Sequence, residues 1–130
     1  MIKIEHIAMW CRNLEAQRKF YETYFGASSN RKYVNKTKGF ESCFISFDSG
    51  ARLELMCMSS IPESTDDPRR QHTGLIHFAI SVGAREKVDE LTEKIKMAGH
   101  EVIDGPRTTG DGYYESVVLD PENNRIEITV

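Results

Sequence analysis

The chain has no apolar run approaching the ~20 residues that a membrane-spanning helix requires. Its first residues, Met1-Ile2-Lys3-Ile4-Glu5-His6, lack the charged-then-apolar pattern of an export signal. Cysteine is scarce: Cys11, Cys43 and Cys57 form neither a paired framework nor a CxxC motif. They read as reduced thiols in or near a core, and with the two absences above they point to a cytoplasmic protein with no membrane partner. A basic stripe is missing as well. The 17 Lys and Arg are scattered among 20 Asp and Glu, for a net charge of -3, which argues against nucleic acid as a partner. What is present is a soluble globular composition, 39% hydrophobic and 28% charged, in 130 residues, enough for one ordinary domain with its own core.

An internal repeat organises the chain. Each half opens with a strand-like segment carrying one histidine, Ile4-Glu5-His6-Ile7-Ala8 and Leu75-Ile76-His77-Phe78-Ala79. A helix follows in both. The first has Asn13 placed to accept an amide of its opening turn and Gly26 placed to end it in the left-handed conformation. The second carries Val88, Leu91, Ile95 and Ala98 as one apolar stripe and closes at Gly99. Three strand-like runs follow each helix. Within them Gly39-Phe40-Glu41-Ser42 matches Tyr113-Tyr114-Glu115-Ser116, and Arg52-Leu53-Glu54-Leu55 matches Arg125-Ile126-Glu127-Ile128. The His-to-Glu separation is 48 residues in one half and 50 in the other. The spacing predicts two βαβββ modules, residues 1–58 and 74–130, joined by a polar, proline-containing linker at 59–73.

Alternation along a strand sends successive side chains to opposite faces. Leu53 and Leu55 oppose Glu54; Ile126 and Ile128 oppose Glu127; Phe78 and Ile80 oppose His77. The helices should cover the apolar face, which leaves the ionisable groups together on the other. Carboxylates gathered without a counter-charge cost several kcal/mol each, and a divalent cation removes that cost. His6, Glu54, His77 and Glu127 are therefore the candidate metal ligands. Two imidazoles and two carboxylates suit Zn²⁺, Ni²⁺, Co²⁺ or Fe²⁺ better than Mg²⁺ or Ca²⁺. The competing reading is that Arg52 and Arg125, two residues upstream, pair with Glu54 and Glu127 across the sheet.

The His-bearing strand, the Asn-Leu…Phe-Tyr…Phe-Gly helix, Arg-Leu-Glu-Leu, and Leu-Asp-Pro-Glu-Asn-Asn-Arg-Ile-Glu-Ile near the C-terminus resemble the vicinal oxygen chelate superfamily, and within it the glyoxalase I (lactoylglutathione lyase) branch. The resemblance runs through essentially all of residues 1–130 as one domain of that superfamily. It implies an α+β fold, two βαβββ modules forming an open, U-shaped mixed sheet with helices outside. It implies one divalent transition-metal ion per site, Ni²⁺ or Zn²⁺ ahead of Co²⁺ or Fe²⁺. Glutamate at both acidic positions resembles glyoxalase I specifically.

That implies a lyase/isomerase acting on a 2-oxoaldehyde–thiol adduct through an enediolate, as in methylglyoxal detoxification, with Glu127 as first base and Glu54 as its partner. The alternatives are a non-catalytic protein of the superfamily that binds metal or a small ligand, and an acyl-thioester epimerase. A small-molecule substrate and a homodimer are the expected partners, with the modules paired within one chain or exchanged between two. Two positions depart from the branch: Trp10 stands where an Arg is common, and Met58 where an Asn is common. Both replace polar contacts to glutathione with apolar ones, so Trp10 and Met58 become candidate substrate contacts. Arg107, in the glycine-rich segment 105–112, is a third. That segment reads either as a mobile lid or as an exposed connection, and Tyr113 and Tyr114 alternate faces beside it.

Overall fold

A computed structural model describes all of Met1–Val130. The chain divides into two compact units, Met1–Ser64 and Thr65–Val130. Each is built as a βαβββ module around its own sheet.

In the first unit, β1 (His6–Trp10) leads into α1 (Leu14–Phe25). The Asn13 side chain accepts the Ala16 amide at 3.0 Å, and Gly26 ends the helix at φ 62°, a conformation that a β-carbon penalises. Leu14, Gln17, Phe20 and Tyr21 form the buried face of α1. The chain continues through β2 (Ser28–Ser29), β3 (Tyr33–Asn35), β4 (Phe40–Ser46) and β5 (Arg52–Met58). The sheet order is β1-β5-β4-β2, with β3 also on β4 and β1 parallel to β5. The first run after the helix is thus broken into two short pieces, β2 and β3. Asn30, between them, accepts the Phe44 amide with its side chain at 2.8 Å and donates its own amide to the Phe44 carbonyl. Cys43, Ile45, Leu53 and Leu55 are buried on the helix side.

The second unit repeats this plan with β6 (His77–Ser81), α2 (Arg85–Met97), β7 (Val102–Thr108), β8 (Tyr114–Leu119) and β9 (Arg125–Thr129), in sheet order β6-β9-β8-β7. Its core includes Val88, Ile95, Val118, Ile126 and Ile128. The Asp120 carboxylate accepts the amides of Glu122 and Asn124, both at 2.9 Å, and Asn123 takes φ 65°. An aspartate that satisfies the amides of its own turn is the physical content of the Asp-Pro-Glu-Asn-Asn segment, and it delivers β9 in register.

Four details differ from expectation. Both histidine strands start at the histidine, because pairing begins there: His6 lies against Arg52 and His77 against Arg125. The buried stripe of α2 is Val88, Thr92 and Ile95, whereas Leu91 is half-buried and Ala98 exposed. Thr92 tolerates burial because its hydroxyl meets the Val88 carbonyl at 2.5 Å and the Ser116 hydroxyl at 2.7 Å. Residues 105–108 are not a free connection: they belong to β7, with Arg107 opposite Glu115. Finally, the match of Glu41 to Glu115 is one residue out. Phe44 faces Glu54 and Val117 faces Glu127, so Ser42 is the true counterpart of Glu115.

Candidate functional site

Cross-strand partners project to the same face, so the registers define rows of side chains. In the first unit, one row holds His6 and Arg52, and the next holds Ala8, Glu54 and Phe44. A third holds Trp10, Met56, Ser42 and Tyr33, and a fourth Met58, Phe40 and Asn35. The helix covers the opposite face, where Leu53 and Leu55 lie. His6 Nε2 stands 3.8 Å from Glu54 Oε1, the imidazole in edge-to-face contact with Phe44.

The second unit reproduces the pair. His77 Nε2 lies 3.2 Å from Glu127 Oε2, and the two side chains are 35% and 17% exposed. Each pair joins the first strand of its unit to the last, and the parallel alignment of those strands makes the contact.

Neither arginine is committed to the glutamate beside it. Arg52 donates from Nε to Glu5 at 2.8 Å and lies over the Phe44 ring at 4.0 Å. Its hydrogen bonds hold the Glu5 carboxyl down to about 2. Arg125 is buried and donates to the Pro68 carbonyl at 2.9 Å. The cross-sheet Arg–Glu pairing anticipated as the competing explanation of Glu54 and Glu127 is therefore replaced by two His–Glu pairs.

The sequence reading missed Glu115. It shares a face with Glu127, diagonally across β8 and β9. Desolvation, reinforced by a hydrogen bond and repulsion from Glu127, pushes its carboxyl up to about 7. The signal was present in the spacing: Glu41 precedes Glu54 by 13 residues, Glu115 precedes Glu127 by 12, and one residue inverts a strand's facing.

The candidate substrate residues fall in different places. Trp10 and Met58 lie on the same face as the His6–Glu54 pair. Arg107 donates to Asp104 at 2.8 Å. Tyr113 is exposed, while the Tyr114 hydroxyl donates to Asp89 at 2.5 Å, beneath the Arg85 guanidinium.

As a donor set, each His–Glu pair offers an imidazole nitrogen and a carboxylate oxygen, which suits a borderline divalent cation. In neither unit does a group of three or more His, Cys, Asp or Glu side chains form that could hold a metal. Two donors per unit fall short of the four of a closed tetrahedral site. Within each unit the donor chemistry fits and the donor number does not.

Comparison with known proteins agrees with this architecture. A Bacillus subtilis (strain 168) protein, uncharacterized protein YqjT, is 25% identical over 128 residues, 96% of each chain. The crystal structure of a glyoxalase family protein from Enterococcus faecalis matches with a TM-score of 0.77 at 22% identity, covering 98% of this chain and 97% of that one. The trypanothione-dependent glyoxalase I of Leishmania major matches with a TM-score of 0.77 at 20% identity, covering 99% and 86%. At such identities the structural likeness establishes the fold alone. No helix is long and apolar enough to cross a membrane. The sequence profile of the glyoxalase/bleomycin resistance protein/dioxygenase superfamily matches residues 3–128, and the chain belongs to that superfamily.

Proposed function

We propose that the protein is a metal-dependent lyase or isomerase of the glyoxalase I type, acting on a 2-oxoaldehyde–thiol adduct. One observation carries this reading: each unit sets a histidine of its first strand against a glutamate of its last, with the neighbouring arginine turned elsewhere. His6, Glu54, His77 and Glu127 would hold a divalent transition-metal ion, with Ni²⁺ or Zn²⁺ preferred. Such an ion, when bound, polarises substrate oxygens and stabilises the negative charge that develops on them.

The protein's part is to move a proton between adjacent carbons. Glu127 removes it from the carbon bearing the thiol, giving the enediolate of the substrate, and Glu54 acts as its partner in returning one to the neighbouring carbon. A carboxylate is suited to this because one oxygen accepts the proton while the group stays anchored through the other.

The test is direct. Purified protein is expected to bind about one ion per His₂Glu₂ set by elemental analysis. Glu127→Gln is expected to abolish turnover of methylglyoxal–thiol adducts while circular dichroism remains unchanged; normal turnover by that variant removes Glu127 from the mechanism. Exposed Trp10, on the same face as Met58, favours a second reading, a non-catalytic binder of an apolar molecule. A panel of thiols with methylglyoxal, assayed separately with Ni²⁺, Zn²⁺ and Co²⁺, discriminates the two. An acyl-thioester epimerase would instead show solvent deuterium exchange next to the carbonyl.

A further inference from the structure

The row of the first unit's open face that starts at Trp10 has no apolar counterpart in the second unit. The fold positions of Trp10, Met56, Ser42 and Tyr33 are taken there by Ser81, Thr129, Glu115 and Arg107. Two sheets of one plan therefore form equally well with that row apolar or charged, so folding does not require tryptophan, methionine and tyrosine in it. Yet in the first unit they gather. Trp10 and Phe40 meet edge to face at 6.0 Å, and Tyr33 lies 6.2 Å from Phe40. Trp10 is 40% and Tyr33 57% exposed, an unfavourable display unless something covers it.

The row begins one step beyond Glu54, ~7 Å along the strand. It is small: three rings spanning no more than ~12 Å, far below the ~800 Å² that each partner buries in a stable protein interface. Both facts favour a small molecule already held at the His6–Glu54 pair over a second protein.

We propose that this patch receives an aromatic or comparably apolar group of the substrate, while the substrate's oxygen-bearing end lies at His6 and Glu54. The inference rests on the substrate site proposed above. Trp10 and Met58 then determine specificity rather than stability.

Trp10 is the single tryptophan, so its fluorescence reports on this patch alone. The probes are 3-phenyllactate and lactate, which share their oxygens and differ by a phenyl ring, titrated with and without Zn²⁺. In the native protein 3-phenyllactate is expected to bind ~10-fold or more tightly than lactate and to change the Trp10 emission saturably. Calorimetry on Trp10→Ala, and on Met58→Asn should the former fail to fold, is expected to bring the two within ~2-fold of each other. Equal affinity in the native protein, binding of neither probe, or a preference that survives both substitutions overturns the proposal. So does conversion of a dimer to a monomer by Trp10→Ala in sedimentation, which would make the patch an interface. Zn²⁺ binding measured in the same samples separates the two ideas. Failure to bind Zn²⁺ with the phenyl preference intact sinks the metal reading alone; Zn²⁺ binding without the preference sinks this one alone.

Discussion

Two carboxylates on adjacent strands repel each other, and partial removal from water sharpens the effect. For Glu115, held up to about 7 beside Glu127, the consequence is a pH-dependent penalty on the folded state. Below pH 4.5 the group is protonated whether the chain is folded or not, and it contributes nothing. As pH rises from 4.5 to about 7 the unfolded chain releases the proton while the folded one keeps it, so stability falls; above that range the loss is constant. Glu115→Gln removes the penalty. In chelator-treated protein the variant is expected to match the native chain at pH 4 and to exceed it by ~1 kcal/mol at pH 8, a value reduced for solvent screening. Urea titrations at the two pH values measure this, and an equal difference at both would refute it. The glutamate's identity was plain in the sequence, but its facing was not: a one-residue offset between the halves decides whether Glu41 or Ser42 occupies the matching place.

Elements are held by a few local contacts whose loss can be measured one at a time. Asn13→Ala, which removes the cap of α1, is expected to cost ~1 kcal/mol. Thr92→Val strands the buried Ser116 hydroxyl and should cost ~1–2 kcal/mol; Thr92→Val with Ser116→Ala should recover most of that, because neither partner is then left unsatisfied. Additive losses in the double variant would show that the two hydroxyls act separately. Gly105→Ala should be the most harmful of these. Its φ is 75°, and an added β-carbon would come within 2.5 Å of the Glu115 carbonyl oxygen.

These cases mark what the pattern along the chain could reveal. The caps, the helices and the alternation of Leu53, Glu54 and Leu55 were legible because each depends on neighbours in sequence. The burial of Thr92, the place of residues 105–108 in a strand, and the partners of Arg52 and Arg125 were not. Each depends on a group from a distant segment: Ser116, Glu115, Glu5 or Pro68.

At the scale of the molecule, one plan is executed twice with different chemistry on its open faces. The first unit sets a largely apolar row one step beyond its glutamate, the second a polar and charged one. The His–Glu pair is what they share. A ligand that binds only the folded chain stabilises it by mass action. Ni²⁺ or Zn²⁺ at a hundredfold excess over its dissociation constant should add ~2.7 kcal/mol, which raises the melting temperature by several degrees and is reversed by chelator. His77→Ala should remove the shift. An unchanged shift in that variant would place the cation elsewhere.

The parallel pairing of first strand with last also bears on the order of events during synthesis. His6 and Glu54 are 48 residues apart in the chain, His77 and Glu127 50. Closing so long a span carries an entropic cost that local turns and helices do not bear, so each docking belongs among the later, non-local steps of folding. An imidazole therefore leaves the ribosome long before its acidic neighbour, and a partly made chain presents isolated histidines with no assembled pair for a cation to select.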